Sequence, residues 1–344
     1  MTKIFLLFSV LSVVGCKSKA PTPAAPPESP QPAAAAVEPT AATEAPGSGA
    51  DSQLVARGAY IADAAGCAVC HTAVGPKGPD LAHAYAGGFE MPDVFGTWRS
   101  PNITQDKKTG IGSWTDEQIA RAIREGVRPD GTQMYSIMPY LSYNRMTDRD
   151  VKALVAFLRT VKPVERTIPP NKDLKLGKIP APPPSNGPDV TTDPVKHGEY
   201  MASLMLCSHC HWTPNKAFQP AGPDKMYSGG LPFNLPMLGT GTLYTPNITS
   251  DKATGIGTWT EAQIFTTLKT MTRPDGRRIQ GPMLFMQSGW SQLKDSDLEA
   301  VAAYIHQLPP VKHKVPASTF KPNPPGAAPA GAPDKATPPP AKAG

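Results

Sequence analysis

Two stretches of the chain place a pair of cysteines three positions apart and put a histidine directly after them: Cys67-Ala-Val-Cys70-His71 and Cys207-Ser-His-Cys210-His211. Residues three apart on a helical turn share a face. Two thiols so spaced can reach one edge of a flat cofactor while the following imidazole sits beneath its centre. CxxCH is the attachment signature of c-type haem, and its double occurrence predicts two covalently bound haems c, with Cys67, Cys70, Cys207 and Cys210 as attachment points and His71 and His211 as iron ligands. A structural disulfide or a thioredoxin-like redox pair accounts for the cysteines but gives the histidines no task.

A haem iron with one histidine is tuned by its sixth ligand, and a thioether is the soft choice. Met138 and Met283 stand at the same distance after a shared Arg-Pro-Asp-Gly, which selects them over Met134 and Met286. A methionine in an apolar stretch is more often core filler; the matched positions favour ligation. Two extra residues follow Met283, so Met286 stays open as the ligand in the second half.

The doubling extends far beyond these residues. Between residues 100–131 and 245–276 roughly 18 of 32 aligned positions are identical, including "PNITQDKKTGIGSW" from Pro101 and "PNITSDKATGIGTW" from Pro246. The chain is thus a tandem repeat of a unit of about 110 residues, an ordinary domain size, with enough apolar residues for two modest cores. Polar loops usually diverge fastest. One kept nearly verbatim, between the proximal histidine and the methionine, reads as a wall shaped to a rigid cofactor. Asn102, Asn247, Trp114 and Trp259 then become candidate N–H donors to the haem propionates, while Asp106, Gly110 and Gly112 have the composition of plain turns.

The order CxxCH, Gly-Pro-Asp, Pro-Asn-Ile-Thr…Thr-Gly-Ile-Gly…Trp, Arg-Pro-Asp-Gly, Met-Pro-Tyr and a closing Asp-rich helix resembles class I cytochrome c domains. More narrowly, it resembles those in the cytochrome subunits of membrane-linked alcohol, aldehyde and gluconate dehydrogenases. The resemblance implies an all-α fold of two tandem domains whose first and last helices cross, with Gly58 and Gly198 allowing close approach. It also implies a proline carbonyl facing each proximal histidine, with Pro79 and Pro223 as the candidates. Those subunits commonly hold three haem domains, whereas two are found in this sequence.

The helices that must carry these residues are legible. Thr115 with Gln118 and Thr260 with Gln263 have capping-box spacing, each followed by apolar residues four apart: Ile119 and Ile123, Ile264 and Leu268. Leu154, Phe157 and Leu158, or Val301, Tyr304 and Ile305, mark the closing helices. His83, His209, His306 and His313 have no counterpart in the other copy and read as surface or packing residues; His197 aligns with Arg57, which reads as exposed.

The ends are of another kind. Residues 4–14 form an apolar run of about 11 before Gly15-Cys16, short of the roughly 20 a membrane span needs and within the range of an export signal. The run ends like a bacterial lipobox, which makes Cys16 the expected lipidated residue. The expected layout is a lipoprotein signal peptide at 1–16, a disordered Pro/Ala-rich tether at 17–50, cytochrome c domains at 51–163 and 194–312, a linker at 164–193, and a disordered tail at 313–344. The net charge of +6, from 34 basic and 28 acidic residues, comes without any basic run of the sort that binds nucleic acid. The expected function is a dihaem electron carrier, lipid-anchored on the periplasmic side of a bacterial membrane, serving a dehydrogenase, another cytochrome or an oxidase. A dihaem peroxidase, or an accessory subunit of a larger complex, is the alternative.

Overall fold

The computed structural model describes residues 49–323, apart from 76–77, 94–95, 172–173, 175–177, 181–182, 185–191, 217–219 and 237. Cys16, the leader and most of the tether and tail lie outside the described residues.

Each copy repeats one succession of helices. In the first, α1 (Gly49–Ala64) leads into the short α2 (Cys67–Cys70), followed by α3 (Asp116–Glu125), α4 (Tyr140–Tyr143) and α5 (Asp148–Thr160). In the second, α6 (Pro194–Leu204), α7 (Cys207–Cys210), α8 (Glu261–Thr270), α9 (Met283–Trp290) and α10 (Asp295–His306) follow in the same order. The capping boxes form in both: the Gln118 N–H donates to Thr115 Oγ1 at 3.2 Å and the Thr115 N–H to Gln118 Oε1 at 2.8 Å, with Thr260 and Gln263 doing the same at 3.2 and 2.9 Å. Ile119, Ile123, Ile264 and Leu268 point inward from these helices and are buried.

The first and last helices of each copy cross at a glycine. A Cβ on Gly58 would fall 1.9 Å from the Ala153 carbonyl oxygen, and one on Gly198 would fall 1.9 Å from that of Ala300. Only a residue without a side chain lets these backbones touch, and the expected crossings are present.

The fold is not purely α-helical. Antiparallel pairs join β1 (Val74–Gly75) to β2 (Gly78–Pro79) and β3 (Glu90–Asp93) to β4 (Gly96–Arg99); in the second copy β5 (Pro232–Asn234) pairs with β7 (Thr242–Tyr244), and β6 (Gly239–Thr240) with β8 (Lys321–Pro322). Strands of two to four residues are too short to show an alternating pattern, so the sequence carried no sign of them. Strand β8 also lies in the expected tail, so residues beyond 312 pack on the second copy; residues 164–171 of the expected linker likewise pack on the first, where Asn171 Oδ1 accepts the Arg99 N–H at 2.7 Å.

Where two cores were expected, one per copy, the main cluster of buried apolar residues draws on both copies. Ile61 and Leu154 of the first copy and Met201 and Leu298 of the second, each at most 2% exposed, belong to it together. A smaller cluster of Phe89, Met91 and Trp98 with Leu235 also joins the copies. Burial of apolar surface is the dominant stabilising term, and here it holds the repeats together as well as each repeat separately.

Candidate haem-binding site

The chain turns sharply into each cysteine helix. Gly66 precedes α2 at φ 66°, and Leu206 precedes α7 at φ 63°. The left-handed turn is easy for glycine and strained for leucine, yet the second copy keeps the geometry. On these turns the thiols of Cys67, Cys70, Cys207 and Cys210 are unpaired, with no disulfide between them. Burial pushes the thiols up, Cys70 to about 11 and the other three to about 12, with neighbouring thiols adding to the shift for Cys67, Cys207 and Cys210. Thiols so perturbed are the reverse of the depressed thiolates of redox-active CxxC pairs.

The histidines are held by the repeated loop. His71 Nδ1 lies 2.8 Å from the Pro101 carbonyl oxygen and His211 Nδ1 lies 2.8 Å from that of Pro246. Burial lowers the pKa of both rings, and the hydrogen bond to each proline carbonyl opposes this only in part. The neutral ring therefore donates through Nδ1 and leaves the Nε2 lone pair for a metal, the arrangement that orients ligating histidines generally. Pro79 and Pro223, the candidates for this carbonyl, are exposed and do not supply it. The proline that opens the loop does so in both copies, and a Pro-Asn pair repeated verbatim was the available signal.

Asn102 and Asn247 have a different task from the one expected. The Asn102 amide donates to Thr109 Oγ1 at 3.1 Å and to the Val164 carbonyl at 2.8 Å, and its Oδ1 accepts the Thr104 N–H at 2.9 Å. Asn247 repeats this with Thr254, Val311 and Thr249 at 3.2, 2.8 and 2.9 Å. Both amide donors are used, so neither asparagine has an N–H left for a propionate. Each pins the strand of chain leaving the last helix across the loop. The turn reading of the loop also holds: Asp106 Oδ1 accepts the N–H groups of Lys108 and Thr109, and a Cβ on Gly112 would meet the Gln105 carbonyl oxygen at 2.1 Å.

Both CxxCH segments open on a cavity of about 920 Å³, whose walls include Trp114, Trp259, Met138 and Met283. Two polar atoms on these walls are buried without a hydrogen-bond partner, Trp98 Nε1 and Arg273 Nε. Unsatisfied buried donors are rare and call for an explanation. A large planar group with anionic side arms would supply their partners, and the apolar walls, free thiols and fixed imidazoles suit the rest of it. The residues present therefore fit haem c. Trp98 was missed because Leu243, which cannot donate, stands at its place in the second copy and matching the copies was the signal in use; Arg273 is matched by Arg128, but their shared Arg-Pro-Asp-Gly served only as the marker from which the methionines were counted.

Met138 stands two residues before α4, of four residues, whereas Met283 is the first residue of α9, of eight: that helix starts two positions earlier and also takes in the two extra residues. Met286 also reaches the cavity, but against the first copy: a Cβ on Gly66 would lie 2.9 Å from its Sδ. Among the spare histidines, His83 is exposed beside Asp80 at 3.0 Å and His313 Nδ1 is within 2.9 Å of the Ser228 carbonyl oxygen. His306 lies 3.4 Å from Glu261, while His209 lines the cavity, its pKa lowered to about 4 by burial. His197 is not exposed as expected; it bonds Asp297 Oδ1 at 2.8 Å with 17% of its side chain accessible.

The family model described as cytochrome c matches residues 55–162. The chain is 33% identical over 267 residues to a protein named diheme cytochrome c-type from Cereibacter sphaeroides, a match covering 74% of this chain and 86% of that one. It is 36% identical over 283 residues to the cytochrome c subunit of a quinone alcohol dehydrogenase from Gluconacetobacter polyoxogenes, covering 76% of this chain and 57% of the relative. The fructose dehydrogenase cytochrome subunit of Gluconobacter japonicus is 36% identical over 282 residues, with 78% and 55% covered. The chain thus spans little more than half the length of these dehydrogenase subunits. With both CxxCH histidines fixed in the same way and a match that covers 86% of a protein named as a diheme cytochrome, the chain belongs to the cytochrome c family.

Proposed function

We propose that this protein is a dihaem electron carrier built from two tandem cytochrome c domains, with His71 and Met138 as the axial pair of one iron and His211 and Met283 as that of the other. The observation that carries the reading is the duplicated hydrogen bond from each CxxCH histidine to the proline carbonyl of its loop. Bound haem supplies a one-electron redox couple. The chain does the rest: four cysteines tether, two imidazoles are held in one tautomer and orientation, and apolar walls exclude water. Trp98 and Arg273 offer N–H groups at the cavity wall. Met286 rests on Gly66 across the boundary between copies, which favours Met283 as the thioether facing His211.

Relatives named as subunits of alcohol, fructose and gluconate dehydrogenases support a dehydrogenase as donor, with another cytochrome or an oxidase as acceptor. Attachment through lipidated Cys16, with the folded part on the periplasmic side of a bacterial membrane, completes the proposal. Among the described residues no helix is long and apolar enough to cross a membrane. The test is stepwise reduction of the full-length protein: two one-electron uptakes, low-spin spectra throughout and no peroxide consumption are expected. One high-spin iron consuming peroxide at enzyme-like rates would put the dihaem peroxidase in its place.

A further inference from the structure

Each copy sends one tyrosine into the other. Tyr60 on α1 and Tyr200 on α6 occupy equivalent places, two residues after the crossing glycines. The Tyr60 hydroxyl donates to Oδ2 of Asp297 on α10 and accepts the N–H of Lys294, the residue that opens that helix, at 3.1 Å. The Tyr200 hydroxyl donates to Oδ2 of Asp150 on α5 at 2.7 Å and accepts the N–H of Thr147, which opens α5, at 3.3 Å. Each carboxylate is also held from its own copy: Arg57 donates to both oxygens of Asp150 at 2.8 Å, and His197 bonds Asp297. Asp150 and Asp297 are buried, 3% and 9% exposed.

The exchange is reciprocal. What Tyr60 does to the second copy Tyr200 does to the first, which is the pattern of a two-fold interface, here within one chain. Tyr60 and Tyr200 are half-buried, so their hydroxyls are partly withdrawn from water and gain from a fixed partner; a helix N-terminus with a carboxylate in its first turn offers both a donor and an acceptor. Tyr60 and Tyr200 each stand seven residues before a haem-attaching cysteine, Cys67 and Cys207. Fixing these tyrosines therefore fixes where the cysteine helices point, and both point into the same cavity.

We infer that Tyr60 and Tyr200 are positioning residues: together they clasp the two copies in a fixed two-fold relation that holds the two iron sites at a constant separation. This rests on the dihaem reading above, and the experiment separates the two. Full-length holoprotein carrying Tyr60→Phe and Tyr200→Phe keeps the ring packing and loses only the hydroxyls. It is expected to retain two covalent haems per chain, to exchange the amides of Thr147 and Lys294 about tenfold faster, and to broaden the distribution of magnetic coupling between the two oxidised irons. Unchanged exchange and unchanged coupling at full haem content overturn the clasp. A wild-type chain with fewer than two haems overturns the dihaem reading instead. Should the double variant fail to fold, the single variants decide: Tyr60→Phe speeds exchange at Lys294 and not Thr147, Tyr200→Phe does the reverse, and both broaden the coupling. A role in packing alone leaves the coupling as in the wild type.

Discussion

His71 Nδ1 lies 2.8 Å from the carbonyl oxygen of Pro101, thirty residues along the chain and the first residue of the repeated loop. His211 and Pro246 repeat the contact at the same length. The loop is therefore part of the proposed iron site: it sets the tautomer and direction of the CxxCH imidazole. Because the acceptor is a backbone atom, substitution cannot delete it, only move it. Loop shape is then the functional quantity, which is why so polar a segment has kept its sequence in both copies.

Asn102→Ala leaves the buried Thr104 N–H without its acceptor and takes from the Val164 carbonyl the nearer of its two donors, Thr104 Oγ1 remaining at 3.4 Å, at a cost of about 1–3 kcal/mol. Thermal unfolding of the holoprotein should show this loss, and Asn247→Ala a similar one. The spectrum of the folded variant should stay that of the wild type. An altered haem spectrum with unchanged stability would restore the asparagines to the cofactor.

Gly58→Ala and Gly198→Ala each drive a methyl group into a backbone carbonyl across a helix crossing. Neither backbone can yield as a side chain would, so the cost sits at the upper end of overpacking, about 3 kcal/mol. Denaturant unfolding measures it. Gly131→Ala, where a Cβ would meet nothing within 4 Å, adds no clash; its φ of 81° limits the cost to about 1–2 kcal/mol of backbone strain.

Acid should weaken the contact between the copies. Burial acts to raise the pKa of Asp297, but hydrogen bonds from His197 and Tyr60 outweigh it and leave the carboxyl below its ordinary value. Such a group contributes stability above its unfolded pKa, roughly 3.9, and loses it as pH falls through the lower folded value. The wild type is thus expected to be more stable than Asp297→Asn at neutral pH, with the gap closing below about pH 4. A gap independent of pH would contradict the charge assignment.

Met283→Ala should abolish the weak thioether-to-iron absorption of the second haem and lower its potential, because thioether ligation raises it. Met286→Ala should leave that band in place, since its sulfur lies against Gly66. The reverse outcome would place the ligand one helical turn later.

What could be read in advance was whatever is local or duplicated. CxxCH and the capping boxes at Thr115 and Thr260 express short-range geometry, and each appears twice; the crossings of Gly58 with Ala153 and of Gly198 with Ala300 join residues far apart and were implied only by the family resemblance. What escaped depends on residues far apart. Pro101 was hidden because any residue has a carbonyl and nothing in its type announces which one faces His71. Asn102 was assigned to the wrong partner because its real acceptor, Val164, is sixty-two residues away. The strands escaped through shortness. The joining of the copies through Tyr60 and Tyr200 escaped because a repeat read copy by copy does not show which copy a side chain enters.

The most direct measurement is the number of covalently bound haems per denatured chain, read from the absorbance of the alkaline pyridine adduct against protein concentration. Two are expected in the wild type, and one in a chain carrying Cys67→Ala with Cys70→Ala, the remaining haem being held by Cys207 and Cys210. A wild-type value of zero or one, or an unchanged value in the double variant, would contradict the account.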